Sequence, residues 1–179
     1  MVSLTFMFWL FVLLFAVIGA TRGWAKEILV TFAVILSLFL ITIIEKFAPI
    51  VTKTIASSGA SSAFWLRFII IVALVFFGYQ SPNLPRLSES QKFVREHLQD
   101  TLLGLFLGVL NGFLIFGSIW YFMHQAEYPI SYIAAPVKGT EMGDAALKMI
   151  PFLAPAWLST PIIYFVTAIA FGFVIIIFL

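Results

Sequence analysis

Apolar residues run along this chain in long unbroken blocks separated by short polar stretches. Met1 to Ala20 is apolar apart from Ser3 and Thr5, and Ile28 to Ile44 carries no charge before Glu45, Lys46 and Pro49. A third block, Ala63 to Tyr79, holds one charge, Arg67. The fourth, Asp100 to Phe122, has none after its first residue, and the fifth, Ala156 to Leu179, has none at all. A helix rises about 1.5 Å per residue and the hydrocarbon layer is about 30 Å thick, so each block predicts a membrane-spanning helix. The Gly19-Ala20 edge superficially resembles a signal-peptidase site. No basic residue precedes that block, however, and it is longer than a usual signal core, so a retained first helix is expected.

The stretches between the blocks carry the punctuation. Thr21 to Glu27 (TRGWAKE) reads as a turn, and 47–62, with Lys53 and SSGASS, as an interfacial loop. In 80–99, Pro82 and Pro85 break the preceding helix. Ser88 with Gln91 resembles a capping box for a short amphipathic surface helix reaching Leu98. Pro129, Pro136, Pro151 and Pro155 divide the region after the fourth block into short interfacial helices and loops. The expected fold is therefore all-α: a polytopic membrane bundle of about five transmembrane helices plus short interfacial ones. Its parts would be a four-helix core (1–123), an interfacial segment (124–155) and an added C-terminal span (156–179).

Composition agrees with that pattern. The 179 residues are 63% hydrophobic and 10% charged, against about 45–50% and about 25% in soluble domains. Arg22, Lys26, Arg86, Lys92 and Arg95 fall on one side of such a bundle, and Lys46, Lys53, Lys138 and Lys148 on the other, which leans to N-out, C-in. A net charge of +2 without any basic run argues against a nucleic-acid partner.

The fourth block has a second periodicity. Gly104, Gly108 and Gly112 recur every four residues and open one groove of bare backbone, which in a bilayer lets another helix approach closely. Ala168 and Gly172 in the fifth block form a small-xxx-small pair that would serve as its mate. Asn111, near mid-span, needs a hydrogen-bond partner. Asp100 suits the N-cap of the glycine helix, and Arg22 or Lys26 would pair with it as a structural clamp.

Little chemistry accompanies this framework. Without cysteine there is no disulfide and no thiol nucleophile. His97 and His124 flank the glycine helix, about 40 Å apart if the stretch is helical, too far to share one haem. Glu141 and Asp144 sit beside Lys138 and Lys148 in a polar region and read as a solvated face. Arg67, with no acid evident nearby, is expected to snorkel. No enzyme activity and no cofactor is expected.

Two stretches carry a family resemblance. Arg22-Gly23-Trp24-Ala25-Lys26-Glu27 resembles the R-G-x-x-R-E turn of the colicin V production protein family. Asp100-x3-Gly104-x3-Gly108-x3-Gly112 resembles the glycine signature before that family's fourth span, in the right order and two spans later. Together they cover about residues 1–123. The resemblance implies a bacterial inner-membrane protein linked to envelope upkeep or peptide export. Asn111 stands where the family often has Arg, and the fifth block exceeds the usual four spans. The expected function is a non-catalytic accessory subunit of a larger inner-membrane complex, whose partners are membrane lipids and other integral subunits. The alternative is a small oligomeric transporter or channel.

Overall fold

The computed structural model describes residues 3–48, 59–80 and 94–178. Every regular element among these is a helix: α1 (Leu4–Arg22), α2 (Trp24–Phe47), α3 (Ala60–Tyr79), α4 (Val94–Gln125), α5 (Glu141–Met149), a 3-10 turn (Ile150–Phe152), α6 (Ala154–Trp157) and α7 (Ile162–Phe178). Four helices are long and apolar enough to cross a membrane: α1, α2, α3 and the His97–Gln125 part of α4. The fold is thus an all-α bundle of membrane-protein type. In place of a span over the whole of 156–179 stands α7, 17 residues or about 25 Å long. The chain bends through Leu158–Pro161 before this helix can start.

The helices run alternately up and down. Phe8 meets Trp120 near one end of α1 and Gly19 meets Gly104 near the other, so α1 and α4 lie antiparallel along their full length. Against α2, Phe39 touches Tyr164 and Phe32 touches Phe171, which makes α7 antiparallel to α2. One end of the bundle therefore gathers the C-termini of α1 and α3 with the N-terminus of α2. The opposite end gathers Glu45, Arg67 and Gln125.

The glycine groove is filled from within the chain. A methyl group on Gly104 would overlap the Gly19 carbonyl oxygen, and one on Gly108 the Phe15 carbonyl oxygen. One on Gly112 would lie 2.9 Å from Val12 Cα. The mate is thus α1, not the Ala168/Gly172 pair: Ala168 is exposed and a methyl on Gly172 would meet nothing within 4 Å. Sequence spacing marks where backbone is bare, but it does not say which helix the connections deliver to it. Gly19 completes the seam from the α1 side, and Gly78 of α3 makes a similar approach to Val30 and Ala33 of α2.

The core is one continuous cluster. Phe8 and Val12 of α1, Val34 and Ile41 of α2, Phe64 and Ile71 of α3, and Leu114 and Trp120 of α4 pack together in it. Leu153, Ala154 and Leu158 join the same cluster, so the connection into α7 is built into the core rather than laid over it. In α5, Thr140 caps the first turn by accepting from the Gly143 amide at 3.1 Å. Of the surface helix expected over Ser88–Leu98, residues 88–93 lie outside the described residues, and 94–98 form the first turns of α4 rather than a separate helix.

Gly108→Ala should destabilise the protein by about 1–3 kcal/mol, because the added methyl meets backbone that cannot rotate away. Gly172→Ala should be close to neutral. Thermal unfolding of the two variants side by side in one detergent checks the difference.

Candidate functional site

The connection between α1 and α2 is a single residue. Gly23 takes φ 84°, which side-chain-bearing residues rarely adopt, and its amide closes α1 on the Gly19 carbonyl at 3.0 Å. The turn expected over Thr21 to Glu27 is therefore compressed to one position, and Glu27 moves into the first turn of α2. An acid there suits the positive end of the helix dipole, as Arg22 suits the last turn of α1.

Glu27 is completely buried and fully engaged. Arg22 Nη1 donates to Oε1 at 2.6 Å, and Asn111 Nδ2 donates to Oε2 at 2.7 Å. The second Nδ2 proton serves the Glu27 backbone carbonyl at 3.0 Å, while Asn111 Oδ1 accepts from the Thr31 hydroxyl at 2.7 Å. This orients the amide without ambiguity, since only its nitrogen can donate to a carboxylate. Arg22 also donates through Nη2 to the carbonyl of Tyr79, the last residue of α3, at 3.1 Å. Its guanidinium lies over the Tyr79 ring, 4.3 Å from the centroid. One ion pair and one amide thus tie together all four long helices.

Asp100 is used differently from the expectation. Helix α4 begins by Val94 and runs unbroken through it, so Asp100 is interior to its own helix and cannot cap it. Its carboxylate instead accepts from the Trp24 amide at 3.3 Å, at the start of α2. A methyl on Gly23 would stand 2.8 Å from Asp100 Oδ2, a second reason for glycine there. The clamp expected between Arg22 and Asp100 is superseded: Arg22 turns to Glu27, five residues on, because the one-residue junction folds that side chain back over it. Lys26 lies half-buried in the same turn and takes no part in the Arg22–Glu27 pair.

Of the residues singled out from sequence, Arg22, Gly23, Glu27, Asp100 and Asn111 converge here with Gly104 nearby, while Ala168 and Gly172 lie apart on α7. Thr31 and Tyr79 belong to the site without having been singled out for it. The four-residue spacing from Glu27 to Thr31, on one helix face, was the available signal for Thr31. Thr31 also borders an apolar cleft of about 270 Å³ between α2, α4 and α7, lined by Ile28, Phe32, Leu107, Val166 and Phe173 among others.

A second ion pair lies at the opposite end. Arg67 Nε donates to Glu45 Oε1 at 2.6 Å, and Nη1 to Gln125 Oε1 at 2.9 Å. The expectation that Arg67 has no acid nearby is thereby corrected: Glu45 is distant in sequence order but adjacent across the antiparallel α2–α3 pair. His97 and His124 sit toward opposite ends of α4. His124 Nδ1 is 3.3 Å from the Tyr128 hydroxyl, which also accepts from Trp120 Nε1. Burial pushes the Tyr128 phenol above its ordinary pKa, partly opposed by the Trp120 hydrogen bond. Among the described residues no three of His, Cys, Asp and Glu gather as a metal-holding group.

Compared with protein-family models, curated proteins and solved structures, the chain matches none.

Removing one partner of a buried ion pair strands the other, at about 3–5 kcal/mol. Arg22→Met should therefore destabilise strongly, whereas Glu27→Gln should cost less, because Arg22 keeps 20% side-chain exposure. The double variant should be more stable than Arg22→Met alone. A double-mutant cycle by thermal unfolding reads the coupling directly.

Proposed function

We propose that this chain is a non-catalytic membrane protein that works as a packing subunit of a larger membrane assembly, with α7 as its fifth span and docking helix. The observation that carries this reading is the contrast between two small-residue seams. The Gly104/Gly108/Gly112 seam is filled by α1, while the outer face of α7, with Ala168 exposed and Gly172 open, is unoccupied among the described residues. Phe165, Ile169 and Ile176 stand exposed around it. Small residues flanked by bulky apolar ones are the pattern by which membrane helices approach one another closely. The buried Arg22–Glu27–Asn111 network supports the same role, because it makes the four long helices a stiff platform for the fifth. The resemblance to the colicin V production family would place such an assembly in the bacterial inner membrane, serving envelope upkeep, export or energy transduction.

A second reading, a small oligomeric transporter, is favoured by one observation: ionisable groups buried in membrane helices commonly mark transport paths, and Glu27 is one. Its route to open space would be Thr31 and the apolar cleft. Loss of ion or proton flux in liposomes on Glu27→Gln, with folding retained, would select this reading.

Native mass spectrometry after mild detergent extraction tests the leading proposal. The expected result is a stoichiometric complex with other membrane proteins that Gly172→Leu dissolves while the chain stays folded. A folded monomer from wild-type membranes, unchanged by Gly172→Leu, would overturn it.

A further inference from the structure

The two ion pairs differ in one respect that matters chemically. Both oxygens of Glu27 are taken up within the bundle, and the residue is sealed. The Arg67–Glu45 pair is left open. Among the described residues only Oε1 of Glu45 is engaged, and its side chain is 41% exposed. Arginine carries five N–H donors, of which the bonds to Glu45 and Gln125 use two.

Both residues line a polar cavity of about 290 Å³, with Thr42, Gln125, Ser159 and Thr160 in its wall and Leu38, Ile41 and Leu158 on its apolar side. That volume lies just below the range of about 300–1,000 Å³ typical of small-molecule sites, so it admits a headgroup and not a whole lipid. Lys46 stands at the same end, its ammonium 5.6 Å from the centroid of the Tyr164 ring. Among the described residues one cation, Arg67, and one carboxylate, Glu45, line the cavity, with Lys46 next to Glu45 in sequence but outside the cavity wall. That pairing suits a ligand carrying an anionic group beside an amine. Exposed Trp65 and Trp157, close in sequence to Arg67 and Leu158, fit the aromatic belt that sits at headgroup level.

We propose that this cavity is a binding site for the headgroup of an amine-bearing phospholipid. The phosphate meets the N–H groups of Arg67 that Glu45 and Gln125 do not take up, and the ammonium donates to Oε2 of Glu45. The acyl chains lie outside, along the apolar surface of the bundle. The proposal goes beyond the packing role and shares with it only the membrane-spanning arrangement.

Delipidated full-length protein titrated with phosphatidylethanolamine, phosphatidylcholine and phosphatidylglycerol, followed by native mass spectrometry and thermal unfolding, is the test. Wild type should retain phosphatidylethanolamine on the order of tenfold better than the other two, the scale of one charge-assisted hydrogen bond. Glu45→Gln should erase that preference without weakening phosphatidylglycerol, an effect that a purely structural ion pair would not produce. Ser159→Leu, which fills the cavity from an exposed loop position, should abolish retention at unchanged lipid-free stability. Equal binding of the three lipids, or a preference that survives Glu45→Gln, would overturn the proposal. Equal protection by inorganic phosphate alone would assign a free-phosphate site and overturn the lipid reading.

Discussion

A carboxylate buried in an apolar helix bundle constrains everything near it. Transferring an unpaired charge out of water is so unfavourable that Glu27 can sit at full burial only if each of its oxygens finds a donor. Arg22 and Asn111 supply them. To do so, α1 must end where α2 begins and α4 must cross both at the height of Asn111. The one-residue junction at Gly23 and the close α1–α4 seam are the backbone consequences. Gly19, Gly104 and Gly108 bring the two helices near enough for the polar groups to meet. The polar groups, in turn, fix which glycine faces which.

The junction also answers a question of helix ends. Terminal amides and carbonyls are unsatisfied wherever a helix stops, and within hydrocarbon no water can serve them. Three helices end at this corner. Asp100 accepts from the α2 N-terminus, Arg22 donates to the α3 C-terminus, and Gly23 returns its amide to α1. Side chains that read in isolation as turn residues thus close the ends of helices other than their own.

The opposite end of the bundle works by looser rules. Glu45 and Arg67 pair at the same distance as Arg22 and Glu27, yet among the described residues Glu45 Oε2 takes no partner, and both side chains border a cavity. Exposure accounts for the contrast. Where water or headgroups reach, an ion pair need not be saturated from within the protein, and it remains able to take up a ligand.

The fold class and the four long helices were legible in the sequence because hydrocarbon imposes length and apolarity on any segment that crosses it. The glycine periodicity was legible for a similar reason, since a four-residue repeat lies on one helix face whatever packs there. Asn111 announced its need for a partner by being an amide in an apolar run. The identity of each partner was not legible. That α1 rather than α7 fills the groove, that Asn111 completes the partners of Glu27, and that Asp100 accepts from the start of α2 all depend on contacts between residues far apart in the chain. Most of these contacts join residues more than fifty positions apart, and single-chain spacing carries no information about them. Local sequence determined which segments are helices and which faces are bare, because those follow from solvent and periodicity. Only the tertiary structure decided which face meets which, because burying Glu27 admits few arrangements and the choice among them is made by all four helices at once.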